Sequence, residues 1–387
     1  GNDVPEPEHI SILGKINAAD FLAEYWQKKP LLIRSAIPNY ISPISADELA
    51  GLACSEDVES RIVLEKDGAS PWELRHGPFD ENTFAHLPES HWTLLVQDVE
   101  KHYAPLQALM GRFSFIPNWR LDDLMISFAA TGGSVGPHTD QYDVFLLQAE
   151  GTRRWQIASS FEPELLRDCP LNVLQRFTPE QEWVLEPGDM LYLPPNVAHH
   201  GIALEPGMTW SIGSRAPSVA DLLQGLGEWL SFDTDEGGRY SDPDLQPAKR
   251  AGEMDAEALR KLRQLMLARI DDSDNVDSFL AAFMSRFRLA HEPAPPPEPI
   301  RSKDLHAAIQ NGAQLLRNPW TRLTWIETPQ GARLFAAGQA FDCSTSLAEI
   351  LCQRQQPAIE MAMLDKPSLD TLTELINKGH MLLTSDV

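Results

Sequence analysis

The chain has 387 residues, 43% of them hydrophobic, which suits two or three domains with sizeable cores. Its formal net charge of −24 at pH 7 argues against bare nucleic acid and anionic membranes as direct partners and favours a basic protein, although solubility alone would also account for it. The four cysteines form no C-x-x-C pair, which argues against a zinc ribbon or a disulfide framework and favours the reducing cytoplasm.

Residues 1–217 combine early helical patterns with a later β-rich region. The segments "NAADFLAEYWQKKPLLI" and "WTLLVQDVEKHYAPLQALM" carry apolar residues at helical spacing. Short apolar segments bounded by turn signals then read as strands: "DDLMISFAA", "YDVFLLQA", "RRWQIA", "EWVLEPGDMLYLPP" and "MTWSIGSRA". Helices followed by a run of strands predict a mainly β barrel or sandwich with helical decoration.

Residues 218–291 have helical periodicity and predict three amphipathic helices. The apolar positions that form their three stripes are Leu222, Leu223, Leu226, Trp229 and Leu230; Leu259, Leu262, Leu265, Met266 and Ile270; and Phe279, Leu280, Phe283, Met284 and Phe287. Because three such helices are hard to bury with so little chain around them, the pattern favours self-association, most simply as a homodimer.

Residues 292–299, "EPAPPPEP", predict a stiff proline-rich linker. The last unit, residues 300–387, mixes helical stretches with a β-hairpin candidate, "TRLTWIETPQGARLFAAG", which suggests a winged-helix-like domain. From Pro297 to Val387 there are eight Lys and Arg against ten Asp and Glu. The basic face of a DNA-binding domain is therefore missing, and we expect no direct nucleic acid binding.

The segment "GPHTDQYDVFLLQAEGTRRW" carries a candidate metal site. On a strand, His138 and Asp140 share one face and could both reach one ion. A second histidine follows in "NVAHHG", the arrangement with which a double-stranded β-helix assembles a metal site. Two His and one carboxylate leave coordination positions open, which favours Fe(II) with a co-substrate and O₂ over structural zinc. His199 and His200 point to opposite faces, so only one can be a ligand, and spacing alone leaves both open.

The adjacent arginines suggest how a co-substrate is held. A co-substrate that chelates iron at one end and is anionic at the other needs a buried cation, and arginine grips a carboxylate with two hydrogen bonds. Arg153 and Arg154 point to opposite faces of a strand, so one can line the barrel while the other meets solvent. Two surface arginines on an acidic protein are the alternative.

Taken together, "GPHTD", "GTRRW", "EPGD" and "PPNVAHHG" resemble the JmjC-type 2-oxoglutarate oxygenases, and more narrowly the bacterial ribosomal oxygenases. The resemblance covers nearly the whole chain. It implies a double-stranded β-helix (cupin/JmjC) barrel, a helical dimerisation segment and a C-terminal winged-helix-like domain. The implied activity is Fe(II)-dependent hydroxylation of an arginine of large-subunit ribosomal protein L-sixteen, with 2-oxoglutarate and O₂ as co-substrates.

The resemblance also assigns site residues by motif position. His138, Asp140 and His199 match the iron ligands, because the family's distal histidine stands two residues before a glycine. Arg153 matches the residue that binds the far carboxylate of 2-oxoglutarate, where many relatives have Lys. Ser127, in "LMISF", matches a hydroxyl that assists there.

Three further residues are candidates of the same kind. Ser211, in "TWSIG", is a second hydroxyl for the co-substrate. A pocket for an arginine side chain should offer carboxylate or phenol acceptors, for which Tyr142 and Asp143 are candidates, although either could be an ordinary strand-face residue.

Three alternative functions remain open at this point. A demethylase acting on methyl-lysine, or a JmjC hydroxylase of another basic side chain, would use the same iron site. A non-oxidative cupin would bind zinc or manganese without 2-oxoglutarate, against which Arg153 argues. A scaffold acting through the C-terminal unit would not depend on His138 at all.

Overall fold

The computed structural model describes residues 11–66, 71–232, 238–354 and 356–384, and it divides into two compact units, Gly1–Ala216 and Pro217–Val387. The strands of the first unit are β1 (Leu31–Ile33), β2 (Ser60–Glu65), β3 (Trp72–His76), β4 (Trp92–Val96), β5 (Leu121–Ala129), β6 (Val144–Glu150), β7 (Arg153–Ala158), β8 (Gln181–Leu185), β9 (Met190–Leu193), β10 (Ala198–Ala203) and β11 (Gly207–Ser214). Its helices are α1 (Ala18–Glu24), α2 (Ala46–Leu52), α3 (Glu81–Ala85), α4 (Val99–His102) and α5 (Gln107–Gly111).

The first unit is built from two antiparallel sheets. The larger has eight strands in the order β1-β9-β6-β11-β5-β4-β2-β3, and the smaller has three in the order β10-β7-β8. The "EPGD" turn separates β8 from β9 and so moves the chain from one sheet to the other. Gly188 in this turn has φ 96°, in the left-handed region that glycine adopts without strain.

In the strands of the larger sheet, successive side chains alternate between a face that packs into the core and a face that lines a cavity. In β11, Met208, Trp210 and Ile212 are fully buried in the main hydrophobic core, whereas the residues between them line the cavity. In β5, Leu124 and Ile126 likewise face the core. Because successive side chains of a strand point to opposite faces, the same strands build both the core and the site.

Two helical predictions need correction. In the first segment, α1 begins after the N-cap Asn17, whose side chain accepts a hydrogen bond from Asp20 N, but "LLI" forms strand β1. In the second, "WTLLV" forms strand β4, and the helices α4 and α5 come later. Leu94 packs in the main core while Leu95 faces the cavity side, so both faces of β4 are covered. Such a strand has a continuous apolar run, which periodicity alone cannot separate from a helix.

The second unit is a helical segment followed by a small α/β domain. Its helices are α6 (Val219–Phe232), α7 (Ala256–Ile270), α8 (Ser273–Arg286), α9 (Ser302–Gln310), α10 (Thr345–Cys352) and α11 (Lys366–Asn377). Its strands are β12 (Gln314–Arg317), β13 (Leu323–Thr328), β14 (Gly331–Ala336), β15 (Gln339–Cys343) and β16 (Met381–Thr384). The predicted hairpin is formed by β13 and β14, which β15 extends to three strands.

Helix α8 packs against this C-terminal sheet. Arg333 Nη1 donates to Ser278 Oγ at 2.9 Å, and Thr324 Oγ1 donates to the Ala281 carbonyl at 2.8 Å. Of the three predicted amphipathic helices, α8 is thus covered by the winged-helix domain, whereas no residue of α7 is buried. None of the helices in the described ranges reaches the length and hydrophobicity that crossing a membrane requires.

Candidate metal and co-substrate site

Two histidines that lie far apart in the sequence meet at one end of the cavity. His138 and His199 pair as an isolated antiparallel bridge, and their ring centroids are 4.3 Å apart. Asp140 Oδ2 lies 3.3 Å from His199 Nε2 and 3.8 Å from His138 Nε2. The three potential ligand atoms all lie within 4.8 Å of one another. The backbone therefore brings together the three residues that the sequence motifs single out.

The tautomers of both imidazoles suit metal binding. His138 Nδ1 lies 2.9 Å from the Gly136 carbonyl oxygen, and His199 Nδ1 lies 2.9 Å from the Val197 carbonyl oxygen. Since a carbonyl only accepts, each Nδ1 carries the proton and each Nε2 presents a lone pair toward Asp140. These backbone bonds also fix the orientation of each ring.

The protonation states agree with this arrangement. Burial, followed by the charge of nearby His199, lowers the pKa of His138 to about 4, so its ring is neutral at pH 7. Burial acts to raise the pKa of Asp140, but the close contact with His199 and the proximity of His138 outweigh it and keep that pKa below its usual value. A neutral imidazole and an ionised carboxylate are the forms that bind metal.

His200 points away from the cavity. It follows His199 in β10, its ring lies 6.2 Å from that of Phe177, and it is not among the residues lining the cavity. Burial, followed by the charge of Arg153, lowers the pKa of His200 to about 4. The structure thus places His199, and not His200, in the cavity, a choice that the sequence spacing alone left open.

Arg153 is a buried guanidinium on the cavity wall. Arg153 is 5% exposed, and no described Asp or Glu lies within ion-pair distance of its guanidinium. One of its nitrogens, Nη2, donates to the Gly201 carbonyl at 3.0 Å, while its Nε has no hydrogen-bond partner. Burial lowers its pKa to about 10, so it remains charged at pH 7. A buried, unpaired cation is costly, and an anionic ligand would relieve that cost.

The other arginine of the pair faces solvent, as the strand alternation predicts. Arg154 Nε lies 3.6 Å from Glu182 Oε1, and its side chain is 40% exposed. Trp155, two residues beyond Arg153, returns to the cavity face, where the guanidinium lies 5.0 Å from its ring centroid. Arg153 and Trp155 therefore form one wall, and Arg154 is a surface residue.

The remaining candidates divide into two groups. The cavity has a volume of about 180 Å³ and is lined by Ser127, Ser211 and Tyr142. Asp143 is not in the cavity, which corrects the expectation that it could hold the substrate. It is 1% exposed, and its carboxylate accepts hydrogen bonds from Tyr192 Oη and from Gln27 Nε2. Asp143 therefore ties β9 and the N-terminal region to the core.

Two acidic residues of the cavity wall were missed by sequence reasoning. Asp122 and Asp123, at the start of β5, line the cavity together with Ser127. Asp123 and Ser127 are four residues apart, so in an extended strand they share a face. That alternation was the signal that could have found Asp123, because Ser127 was already a candidate.

The residues present fit a divalent transition metal. Two imidazole nitrogens and one carboxylate oxygen converge, and within the described ranges no fourth His, Cys, Asp or Glu is grouped with them. Three ligands on one side leave coordination positions for exogenous molecules, which is the donor set of non-haem Fe(II) oxygenases rather than of a closed structural zinc site.

Comparisons with known proteins identify the relatives of this chain. Residues 108–222 match the JmjC domain family, and residues 268–381 match the family described as ROXA-like winged helix. The chain is 37% identical over 376 residues to a protein of Escherichia coli (strain K12) named ribosomal protein uL16 3-hydroxylase, and the match covers 94% of this chain and 97% of that protein.

Two solved structures are similar over the same extent. The X-ray structure of E. coli YcfD superposes with a TM-score of 0.87 at 35% identity, covering 95% of this chain and 98% of that one. The E. coli ribosomal oxygenase YcfD in complex with cobalt and 2-oxoglutarate superposes with a TM-score of 0.84 at 36% identity and the same coverage. The predicted fold class, a double-stranded β-helix with a winged-helix domain, is confirmed.

Proposed function

The chain belongs to the JmjC-type ribosomal oxygenases, which depend on a metal and on 2-oxoglutarate, and from this premise we propose that it hydroxylates an arginine side chain of ribosomal protein uL16 (L-sixteen). The observation that carries the proposal is the pairing of a two-His-one-carboxylate cluster with a buried, unpaired guanidinium in one cavity. A ligand that is both a chelator and an anion satisfies both groups, and 2-oxoglutarate is such a ligand.

The protein's share of the mechanism is binding and orientation. When bound by His138, Asp140 and His199, Fe(II) supplies the chemistry that couples oxidative decarboxylation of 2-oxoglutarate to insertion of one oxygen atom of O₂ into a C–H bond. Arg153 holds the far carboxylate of 2-oxoglutarate by charge-assisted hydrogen bonds. The hydroxyl of Ser127 lies on the same cavity surface, and Ser211 offers a second one.

The apolar part of the wall excludes water from the reacting groups. Val144, Leu146 and Trp155 line the cavity, and each is at most 5% exposed. Apolar walls strengthen the electrostatic interactions made inside the cavity and leave 2-oxoglutarate few alternative positions. Orientation by a fixed wall is the largest contribution that these residues can make.

Other residues of the cavity wall suit a cationic side chain. Asp122 and Asp123 offer carboxylate oxygens, and Tyr142 offers a phenol and an aromatic face. Carboxylates bind a guanidinium by paired hydrogen bonds, and an aromatic ring attracts a cation to its face. The net charge of −24 adds long-range attraction for a basic ribosomal protein. The substrate proposal rests on these acceptors and on the name of the E. coli relative.

The direct experiment incubates the protein with Fe(II), 2-oxoglutarate and uL16, and locates added oxygen by tandem mass spectrometry. We expect a mass increase of one oxygen atom on an arginine, absent in the Asp140→Ala variant. An oxygen on another residue type would overturn the arginine assignment, and formaldehyde release from a methylated substrate would favour the demethylase alternative. Succinate formation without any modified residue would show that uL16 is not the substrate.

We also propose that the chain is a homodimer formed through α6 and α7. In these two helices large apolar side chains lie on the surface: Val219, Leu223, Phe232, Leu259, Leu265, Met266, Leu267 and Ile270 are each at least 39% exposed. Large apolar side chains exposed in this number are unfavourable in water and are buried in a symmetric interface at little cost.

A further inference from the structure

A second group of buried ionisable residues lies behind the acidic part of the cavity wall. Asp98 and Glu100, at the start of α4, are 6% and 4% exposed. Together with Asp123 they place carboxylate oxygens within 4.8 Å of one another. Lys101 lies among them: its Nζ is 2.7 Å from Asp98 Oδ1, 3.9 Å from Glu100 Oε1, and in contact with Asp123 Oδ1. The ammonium group occupies the centre of the cluster, where a metal ion would otherwise be expected.

The cluster carries more acids than bases. Three carboxyl groups face the single ammonium of Lys101, whose side chain is 8% exposed. Arg215 lies 4.0 Å from Asp123 and also pairs with Asp122 at 3.3 Å, so Arg215 and Asp122 together add no net charge. His102 follows Lys101 in α4, and Arg61 of β2 lines the same cavity as Asp123. Like charges held together away from water cannot all stay ionised.

The burial and crowding of these carboxyl groups favour retention of a proton in the cluster near neutral pH. Burial, then the hydrogen bond and the charge of Asp123, raise the pKa of Asp98 to about 8. Burial, then the charge of Asp123, raise the pKa of Glu100 to about 7, against the charge of Lys101 and the hydrogen bond that Glu100 Oε2 accepts from Leu124 N. The proton belongs to the cluster as a whole, because the two acids respond to the same neighbour.

Asp123 connects the cluster to the cavity. One side of its carboxylate contacts Lys101, and the residue also lines the cavity beside Asp122 and Ser127. A cation that binds at Asp123 from the cavity side would supply the positive charge that the cluster lacks. The proton would then no longer be needed to balance the negative charge of the cluster. Lys101 would hold the Asp123 carboxylate in place from the side away from the cavity.

We propose that the Asp98–Glu100–Lys101–Asp123 cluster releases a proton when a cationic substrate side chain binds at Asp123, and that substrate affinity consequently rises with pH. This rests on the proposed arginine substrate. The sign follows from linkage: binding favours the deprotonated cluster, so affinity increases as pH rises toward and through the raised pKa values, and it levels off above them. With at most one proton released, the affinity changes by up to about tenfold per pH unit.

Isothermal titration calorimetry on the Fe(II)-loaded protein with 2-oxoglutarate under argon tests this directly. The probe is N-acetyl-arginine N-methylamide, and the matched neutral probe is its citrulline counterpart, which has the same shape without the charge. Titrations at pH 7 in two buffers of different ionisation enthalpy give the number of protons released. We expect release of up to one proton with the arginine compound and none with the citrulline compound.

Two variants test whether the cluster, rather than the general negative charge of the protein, releases the proton. Asp98→Asn keeps the side-chain shape, and Asn tolerates the left-handed backbone of this residue, φ 57°. Because it removes one negative charge, it should abolish proton release and make the affinity for the arginine compound independent of pH between about 6 and 8. Glu182→Gln, at a half-exposed position that pairs with Arg154, is the control and should behave as the wild type.

The proton can also be observed without any ligand. Infrared spectra should show the carbonyl stretch of a protonated carboxyl group at pH 6.5, lost at pH 9 and absent from Asp98→Asn at both values. If the band is missing in the wild type, the coupling is wrong whatever the variant does. Binding of the arginine compound without proton release would overturn the coupling and leave the arginine substrate intact. Failure of that compound to bind at any pH would overturn both.

Discussion

Gly201 leaves the space that Arg153 occupies: a Cβ atom at residue 201 would lie 2.4 Å from Arg153 Nε and 2.7 Å from the ring of Trp155. Real side chains do not approach that closely, so any other residue there would displace the guanidinium from the cavity wall. We therefore expect Gly201 to support 2-oxoglutarate binding through Arg153, and His199 to support metal binding.

Gly201→Ala should raise the KM for 2-oxoglutarate about tenfold or more and leave Fe(II) affinity close to wild type, because His199 keeps its strand position. Steady-state kinetics with varied 2-oxoglutarate, and metal titration, measure the two effects. Gly111→Ala, where an added Cβ meets no atom within 4 Å, is the matched control. Equal loss of iron and 2-oxoglutarate binding in Gly201→Ala would show that the glycine supports the whole site instead.

Arg153→Ala should raise the KM for 2-oxoglutarate on the order of 100-fold, since removing one partner of a buried charge pair costs about 2–5 kcal/mol. Arg153→Lys keeps the charge but loses the paired hydrogen bonds, so a smaller increase is expected. Arg154→Ala, which removes the exposed neighbour, should leave the KM unchanged. If the two alanine variants behave alike, Arg153 does not bind the co-substrate.

Asp143→Ala should destabilise the barrel by about 2–4 kcal/mol, because Tyr192 and Gln27 would each lose an acceptor in a buried region. Tyr192→Phe, which removes one of these bonds, should cost about 1–2 kcal/mol. Thermal unfolding measures the stability, and the KM for uL16 provides the comparison. A specific rise in that KM with unchanged stability would restore Asp143 as a substrate residue.

Met266→Glu combined with Leu267→Glu should convert a dimer into a monomer, because both side chains, 64% and 59% exposed, belong to the apolar surface of α7. Sedimentation equilibrium should give twice the chain mass of 43.2 kDa for the wild type and the single value for the variant. Leu382→Glu, at an exposed leucine of β16, is the control and should remain dimeric. A monomeric wild type at micromolar concentration would contradict the proposal.

Residue types that chemistry requires are readable from the sequence, whereas the face that a strand buries is not. The motifs predict His138, Asp140 and His199 as ligands because metal binding requires these residue types, and the structure brings their ligand atoms within 4.8 Å of one another. Where hydrophobic periodicity is ambiguous, packing against the rest of the protein determines whether a segment is a helix or a strand. The apolar run "WTLLV" predicts a helix but forms strand β4, because both faces of this strand are covered.

For the candidate substrate residues, too, the sequence does not show which face of a strand lines the cavity. Tyr142, Val144 and Leu146 alternate onto the cavity face, and Asp143 shares the other face with Phe145 and Leu147 of the core. This parity would have excluded Asp143 and included Asp123, but it becomes usable only once the inward face of each strand is known. Residue type alone could not supply that information.

The central claim is that one cavity holds iron and 2-oxoglutarate together through His138, Asp140, His199 and Arg153. Visible absorption of Fe(II) and 2-oxoglutarate under argon tests it most directly, with His199→Ala compared against His200→Ala. We expect a weak charge-transfer band, from iron chelated by the keto acid, in the wild type and in His200→Ala, and its loss in His199→Ala. A band of full strength in His199→Ala, or its loss in His200→Ala alone, would contradict the assignment.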